Sequence, residues 1–201
     1  MNLPLLVDAT PIFAFQQYLK DHDFPVQGNP NYGALLDALK HEFPDDDFNP
    51  MLAFVAISFD NEGQKKFCGF LQRLGFIVDP TDYRDAFILP DKSTPYQRLS
   101  TRVTYVAGML SPKRPHIVVV TDAFDVYYPL LDLVQARGCK VTLAFFRSAL
   151  EARWQRVGLF GDESVIKFVD LDPHAKAIVG ADIAASPMGQ LGKTGLGSFK
   201  I

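Results

Sequence analysis

The sequence predicts an α/β fold with a mostly parallel sheet of five or six strands and helices on both of its faces. Two observations lead to this prediction. Short, continuously apolar runs recur along the chain, as is typical of strands that are buried on both faces. Between these runs, apolar residues repeat at helical spacing, and such alternation indicates βαβ units. The predicted architecture is a three-layer, Rossmann-like sandwich.

Six apolar runs are the predicted strands. The first is Leu3 to Val7, and Asp8 follows it directly. The other five are Met51 to Phe59, Gly75 to Val78, His116 to Thr121, Cys139 to Phe146 and Ser164 to Val169. Parallel strands joined through helices make right-handed crossovers, and ligands of such sheets bind where the strands end.

Apolar residues at three- and four-residue spacing predict the helices that cover the sheet. They form four groups: Ile12, Phe15 and Leu19; Leu35, Leu36 and Leu39; Phe67, Phe70, Leu71 and Leu74; and Leu130, Leu131, Leu133 and Val134. Each group gives a helix one apolar face. The stretch from Asp79 to Pro95 is expected to be an irregular connection because it is rich in proline and acids.

The predicted domain covers residues 1–172, and residues 173–201 are expected to form a flexible tail or linker. From residue 180 onward, bulky side chains are sparse and glycine recurs, at positions 180, 189, 192, 195 and 197. Ordering such a segment costs conformational entropy with little apolar area to offset it. The tail is therefore expected to contribute little to the core.

Composition excludes several classes of protein. A formal net charge of −3 argues against a surface devoted entirely to nucleic acid, because such surfaces are strongly basic. The two cysteines, Cys68 and Cys139, together with the absence of a leader-like N-terminus, predict a reducing compartment and a cytoplasmic protein. No apolar run approaches the roughly 20 residues that cross a bilayer, so no membrane association is expected.

Three acids are the candidate catalytic and metal-binding residues. Asp122 and Asp125 follow the apolar run of residues 117–120, and Asp8 ends the first strand in the same way. Oxygen-rich sites of this kind bind Mg²⁺ or Mn²⁺, which can activate water against a phosphodiester. Helix capping is the alternative, because an aspartate at a helix start stabilises the helix without any catalysis.

The order of these features resembles the NYN domain, a branch of the PIN-like ribonuclease fold. The strand ending in Asp8 is similar to the opening strand of that family, with its first acid. The segment 31–36 resembles its second helix, and segment 64–76 resembles a helix leading into a Gly-aromatic strand. Residues 118–125 look like its acid-bearing strand. The resemblance covers roughly residues 3–172 and implies a metal-dependent ribonuclease that acts on single-stranded RNA.

Three positions depart from the pattern of that family. Pro11 stands where the family has asparagine, Thr104 where it has an acid, and Ala123 where it has the first aspartate of its Ser-Gly-Asp-x-Asp motif. Because metal affinity needs several converging charges, the expected site is degenerate and the expected cleavage weak. A stretch with six basic residues against three acids, residues 80–115, could follow an RNA backbone.

Two other functions are compatible with the sequence. One is a non-catalytic regulatory or scaffold module that binds a protein partner through the sheet rim or through the helix of residues 125–137. The other is a small-molecule binder on a doubly wound sheet, although no GxGxxG or Walker loop follows the first strand. The sequence makes no prediction of the oligomeric state.

Overall fold

In a computed structural model, the chain is described over residues 2–58, 60–82, 105, 109, 116–122, 139–154 and 166–183. Six strands form one sheet, and every pair of neighbours in it is parallel. The strands are β1 (Asn2–Asp8), β2 (Asp47–Ile57), β3 (Ile77–Asp82), β4 (His116–Val120), β5 (Lys140–Phe145) and β6 (Lys167–Asp170). The predicted α/β fold with a parallel sheet is confirmed.

Five α-helices lie in the described part of the chain. They are α1 (Thr10–Asp21), α2 (Tyr32–Glu42), α3 (Glu62–Arg73), α4 (Arg147–Trp154) and α5 (Ala175–Ile178), and a 3₁₀ turn (Asp172–His174) precedes α5. The helix predicted around residues 130–134 lies outside the described residues. None of the described helices is long and apolar enough to span a membrane.

The strand order is β3-β2-β1-β4-β5-β6, the order of a doubly wound sheet. The chain builds outward from β1 to β2 and β3, and then resumes on the other side of β1 with β4. The order therefore reverses between β1 and β4, where connections leave in opposite directions and open a crevice. All strands end at one edge, which we call the carboxyl edge.

Both faces of the central strands are buried. Leu5 and Val7 belong to the main core cluster with α1 and α2, whereas Leu6, which points to the opposite face, is just as inaccessible to solvent. Val118 and Val119 of β4 repeat this arrangement. Burial on both faces explains why these strands are continuously apolar in sequence and do not alternate with polar residues.

Local sequence fixes where two of the helices begin. The Asn31 side chain accepts a hydrogen bond from the Ala34 amide at 3.1 Å, and the Asn61 side chain accepts one from the Gln64 amide at 3.2 Å. Each asparagine thus caps one of the amides that the first turn leaves without a helical partner. The caps set the start of α2 and α3 just beyond the carboxyl edge.

The expected boundary at residue 172 is wrong, because the chain as far as Ile183 packs into the core. Ile178 and Val179 are buried, and the Gln16 side-chain amide donates to the Val179 carbonyl at 2.8 Å. The Asn31 amide donates to the Ile178 carbonyl at 2.7 Å. These contacts tie the α5 segment to α1 and to the α1–α2 connection, and they offset the entropy of ordering the segment. Residues 184–201 lie outside the described residues.

The start of the expected irregular connection is also wrong. Residues 79–82 continue β3 and pair with β2 as far as Ile57. Proline at position 80 is tolerated there because β3 lies at the edge of the sheet, where one side of the strand needs no ladder hydrogen bonds. The rest of that stretch lies outside the described residues.

Candidate functional site

Asp8 ends the central strand β1 and is almost completely buried, with 2% of its surface exposed. One carboxylate oxygen accepts a hydrogen bond from the Thr10 amide at 3.2 Å. The other lies 3.5 Å from the Thr121 hydroxyl, which donates to it from the neighbouring strand end. Burying a carboxylate is costly unless hydrogen bonds support it, so this position is strongly constrained.

Asp122 lies at the same edge, one strand away. β1 and β4 pair with Val7 opposite Val120, so the next residues along, Asp8 and Thr121, are also adjacent. Asp122 follows Thr121 directly and is buried, with 9% of its surface exposed. Asp8 and the Thr121–Asp122 strand end therefore share one rim of the sheet. They lie at the switch point between β1 and β4.

Asp125, the third predicted acid, lies outside the described residues, as does Ala123. Within the described ranges, the structure contains no group of three or more His, Cys, Asp or Glu side chains arranged to hold a metal ion. The described chain thus contributes two carboxylates, those of Asp8 and Asp122, to the switch point of the sheet. Two carboxylates suit Mg²⁺ when water and substrate phosphate complete its coordination, which is a common arrangement for that ion.

Helix capping explains only part of the environment of Asp8. The N-cap of α1 is Ala9, which offers no side-chain cap, and the Asp8 carboxylate reaches the first amide of the helix instead. The second carboxylate oxygen accepts a hydrogen bond from Thr121 at the end of β4. Asp8 therefore joins the start of α1 to the neighbouring strand end, which a capping residue alone would not do.

Tyr32 is a buried neighbour of this site that the sequence did not single out as functional. Its hydroxyl donates to the Ala9 carbonyl at 2.8 Å and holds the turn between Asp8 and α1. Burial, and then the negative charge of Asp8, raise the pKa of Tyr32 well above the usual tyrosine range. Tyr32 stays neutral and acts as a hydrogen-bond donor beneath Asp8. The sequence shows that Tyr32 follows a helix-capping asparagine, Asn31, but its hydrogen-bond partner, Ala9, is distant in sequence.

A groove of about 690 Å³ opens beside Asp8, on the β2 side. It is lined by residues of α1, of the α1–α2 connection, of the end of β2 and of the start of α3: Thr10, Phe13, Asn29, Pro30, Val55, Ala56, Ile57, Asn61, Gly63, Gln64, Lys66, Phe67 and Phe70. Thr10 links the two features, because its amide donates to Asp8 while its hydroxyl accepts a hydrogen bond from the Ala56 amide at 3.2 Å. Through Thr10, the groove therefore borders Asp8 at the carboxyl edge.

Two further acids at the carboxyl edge have structural roles. The Ser148 amide and hydroxyl both donate to the Asp172 carboxylate, at 2.9 and 3.0 Å. Asp170 accepts from the Arg147 amide and forms an ion pair with the Arg147 side chain at 3.3 Å. Together they cap the first turn of α4 and fasten it to the end of β6.

Neither of the two cysteines forms a disulfide. Cys68 is half-buried on α3, and Cys139 is buried just before β5. Burial raises the pKa of both thiols, so neither is activated as a nucleophile.

Comparison with known proteins extends the description of the fold. No family model matches the chain, and no curated protein matches it. Among solved structures, the chain is similar to the crystal structure of a protein of unknown function from Vibrio parahaemolyticus. The TM-score is 0.61 at 16% sequence identity, and the match covers 86% of this chain and 94% of the other. At this level of identity, the likeness shows a shared fold.

Proposed function

We propose that the protein is a cytoplasmic, RNA-handling domain of NYN or PIN-like type, with a weak, degenerate metal-dependent endoribonuclease site. The observation that carries the proposal is the position of Asp8 beside Thr121 and Asp122 at the switch point of the sheet. Doubly wound sheets bind their ligands in this crevice. Buried carboxylates there suit a divalent cation and, through it, a phosphate group.

Asp8 and Asp122 would hold Mg²⁺ or Mn²⁺, with Asp125 as the expected third ligand. Such an ion, when bound, polarises a phosphoryl oxygen and lowers the pKa of a bound water. The protein contributes a fixed carboxylate: Thr10, Thr121 and the Tyr32–Ala9 hydrogen bond hold Asp8 in place. A fixed ligand lowers the reorganisation needed when the ion binds.

Weak activity follows from the small number of charges. Three residues, Pro11, Thr104 and Ala123, stand where nucleases of the NYN family have polar or acidic groups. Each missing negative charge weakens the electrostatic field that would hold the ion and its bound water. We therefore expect slow cleavage of single-stranded RNA and weak binding of the ion.

The test measures cleavage of a fluorescently labelled single-stranded RNA with Mg²⁺ or Mn²⁺, and Mn²⁺ binding by electron paramagnetic resonance. The variants are Asp8→Asn and Asp122→Asn, and the exposed Asp37→Asn of α2 is the matched control. Asparagine can still accept the hydrogen bond from Thr10, so folding should survive. We expect each site variant to weaken Mn²⁺ binding about tenfold or more, and the control to leave it unchanged.

Each result bears on the proposal. Slow, metal-dependent cleavage that both site variants abolish supports it. Mn²⁺ binding that is unaffected by Asp8→Asn contradicts it. If RNA is neither bound nor cleaved, and the site variants retain capture of a protein partner, the chain is a non-catalytic regulatory module instead.

A further inference from the structure

We propose that the groove beside Asp8 is a nucleotide subsite, which takes one base of a single-stranded RNA against Phe13 and directs its phosphate toward Lys66. The inference rests on the proposed function and deepens it, because it names the part of the substrate that the protein would recognise. It depends on the size, the walls, the hydrogen-bonding groups and the charge of the groove.

The groove has the size and the aromatic walls that a base requires. Its volume of about 690 Å³ falls within the range of small-molecule sites, roughly 300–1,000 Å³. Phe13 is 37% exposed, and its ring meets Phe67 edge to face, with 4.9 Å between the ring centroids. Phe67 thus supports the Phe13 ring from one side while part of that ring stays open to solvent. Bases stack on such rings largely irrespective of sequence.

Two amide side chains in the groove are held with their donors available. The Asn61 side-chain oxygen accepts from the Gln64 backbone amide, and the Gln64 side-chain oxygen accepts from the Ser58 amide at 2.5 Å. Both oxygens are engaged by backbone donors, and among the described residues no acceptor engages the two NH₂ groups, which are therefore the parts that can meet a ligand. Base edges carry carbonyl and ring-nitrogen acceptors that such donors recognise.

The charge of the groove favours an anion. Lys66 is exposed and is the one charged side chain among the lining residues. It forms no ion pair with any residue in the described ranges, whereas the adjacent Lys65 is paired with Glu62 at 2.7 Å. A phosphate near Lys66 would gain a charge-assisted contact that needs no existing pair to break.

The groove lies next to Asp8, so a strand bound in it would continue toward the acids. Thr10 lines it and lies two residues after Asp8, to which its amide is hydrogen-bonded. A nucleotide bound there would have its neighbouring phosphodiester close to the end of β1. The groove would then position the strand, while Asp8 and Asp122 would act on it.

The experiment titrates the full chain with AMP, CMP, GMP and UMP in EDTA and follows binding by calorimetry and by changes in amide NMR shifts. Working without metal separates this subsite from the acid site. The variants are Phe13→Leu, which keeps an apolar side chain but removes the stacking surface, and Lys66→Gln. Their matched controls are Phe48→Leu, a partly buried phenylalanine at the start of β2, and Lys65→Gln.

We expect saturable binding of at least one nucleotide, weakened about fivefold or more by Phe13→Leu and by Lys66→Gln. The controls should change the affinity less than about twofold, and amide shifts should centre on residues 10–13 and 61–70.

Three outcomes would overturn the inference: no nucleotide binds, the controls weaken binding as much as the groove variants, or the shifts centre elsewhere. If nucleotide binding fails while Mn²⁺ binding and RNA cleavage still depend on Asp8, this inference fails and the proposed function stands. If nucleotides bind as expected but the acids bind no ion, the proposed catalysis fails and the subsite stands.

Discussion

The residues around Asp8 show how a buried charge is kept in place. Hydrogen bonds from Thr10 and Thr121 reach its two oxygens, and Tyr32 secures the intervening Ala9 carbonyl. Tyr32 is completely buried and close enough to Asp8 for the carboxylate to disfavour an ionised phenolate. The negative charge of Asp8 therefore adds to the effect of burial in keeping the Tyr32 phenol protonated.

At this scale, alkaline pH should destabilise the protein through Tyr32. In the unfolded chain, tyrosine loses its proton near pH ~10, whereas the raised pKa of Tyr32 keeps it protonated in the fold to higher pH. Above pH ~10 the folded state binds more protons, so its stability falls as the pH rises toward the pKa of folded Tyr32. Urea unfolding at pH 8 and pH ~10.5 measures this loss.

Tyr32→Phe should cost roughly 1–3 kcal/mol at pH 8, because the Ala9 carbonyl loses its donor, but it should reduce the loss at alkaline pH. Tyr18→Phe is the comparison, because burial raises the pKa of Tyr18 as well, without a contribution from Asp8. An equal alkaline loss in wild type and Tyr32→Phe would contradict the prediction.

At the scale of elements, two of the helices near the site, α2 and α3, begin at an asparagine whose side chain caps the first turn. α2 is capped by Asn31 and buries Tyr32 in its first turn together with Leu35 and Leu39. The cap fixes where α2 begins, and because Tyr32 is the first residue of α2, it also fixes the position of Tyr32 under Ala9. α3 begins in the same way at Asn61, and its first turn lines the groove.

Removal of the α2 cap should weaken both the helix and the support of Asp8. We expect Asn31→Ala to lower the free energy of unfolding by about 1 kcal/mol, whereas Asn31→Ser, which keeps a capping oxygen, should cost less. Denaturant unfolding measures both values. Equal losses in the two variants would show that the side-chain hydrogen bond to Ala34 does not stabilise the helix.

At the scale of the whole molecule, residues 175–183 close one side of the core. The Gln27 amide donates to the Gly180 carbonyl at 3.1 Å, and Gly180 has a positive φ of 75°. A Cβ atom built at this glycine would lie 2.0 Å from the Gln27 carbonyl oxygen, which is backbone and cannot rotate away. The segment is therefore fitted closely to the α1–α2 connection.

Gly180→Ala should consequently be much more damaging than Gly28→Ala. Gly28 also has a positive φ, of 71°, but a Cβ atom there would meet nothing within 4 Å. We expect Gly28→Ala to cost about 1 kcal/mol from backbone strain alone. Gly180→Ala should cost roughly 3 kcal/mol or more, because the segment must also move. Thermal unfolding of the two variants provides the comparison, and similar melting temperatures would mean that residues 175–183 are not docked as described.

Much of the fold could be predicted from local patterns. Six apolar runs became six strands, and the groups around Phe15, Leu35 and Leu71 became α1, α2 and α3. The error at residue 172 arose because that segment has few large apolar residues, and its docking depends on partners far away in sequence: the Gln16 side chain of α1 and the Asn31 amide. The error at residues 79–82 arose because a proline reads as a break unless the strand is known to lie at an edge.

For the candidate site, the sequence by itself determined that Asp8 and Asp122 each follow a buried strand, because the continuous apolar character of those strands is a local property. Only the tertiary structure decided that β1 and β4 are neighbours, and hence that Asp8 meets Thr121. It alone placed Tyr32 beneath Asp8 and Phe13 against Phe67. The physical reason is that strand order and side-chain contacts depend on packing between segments far apart in sequence, whereas a strand or a helix cap is fixed by neighbouring residues.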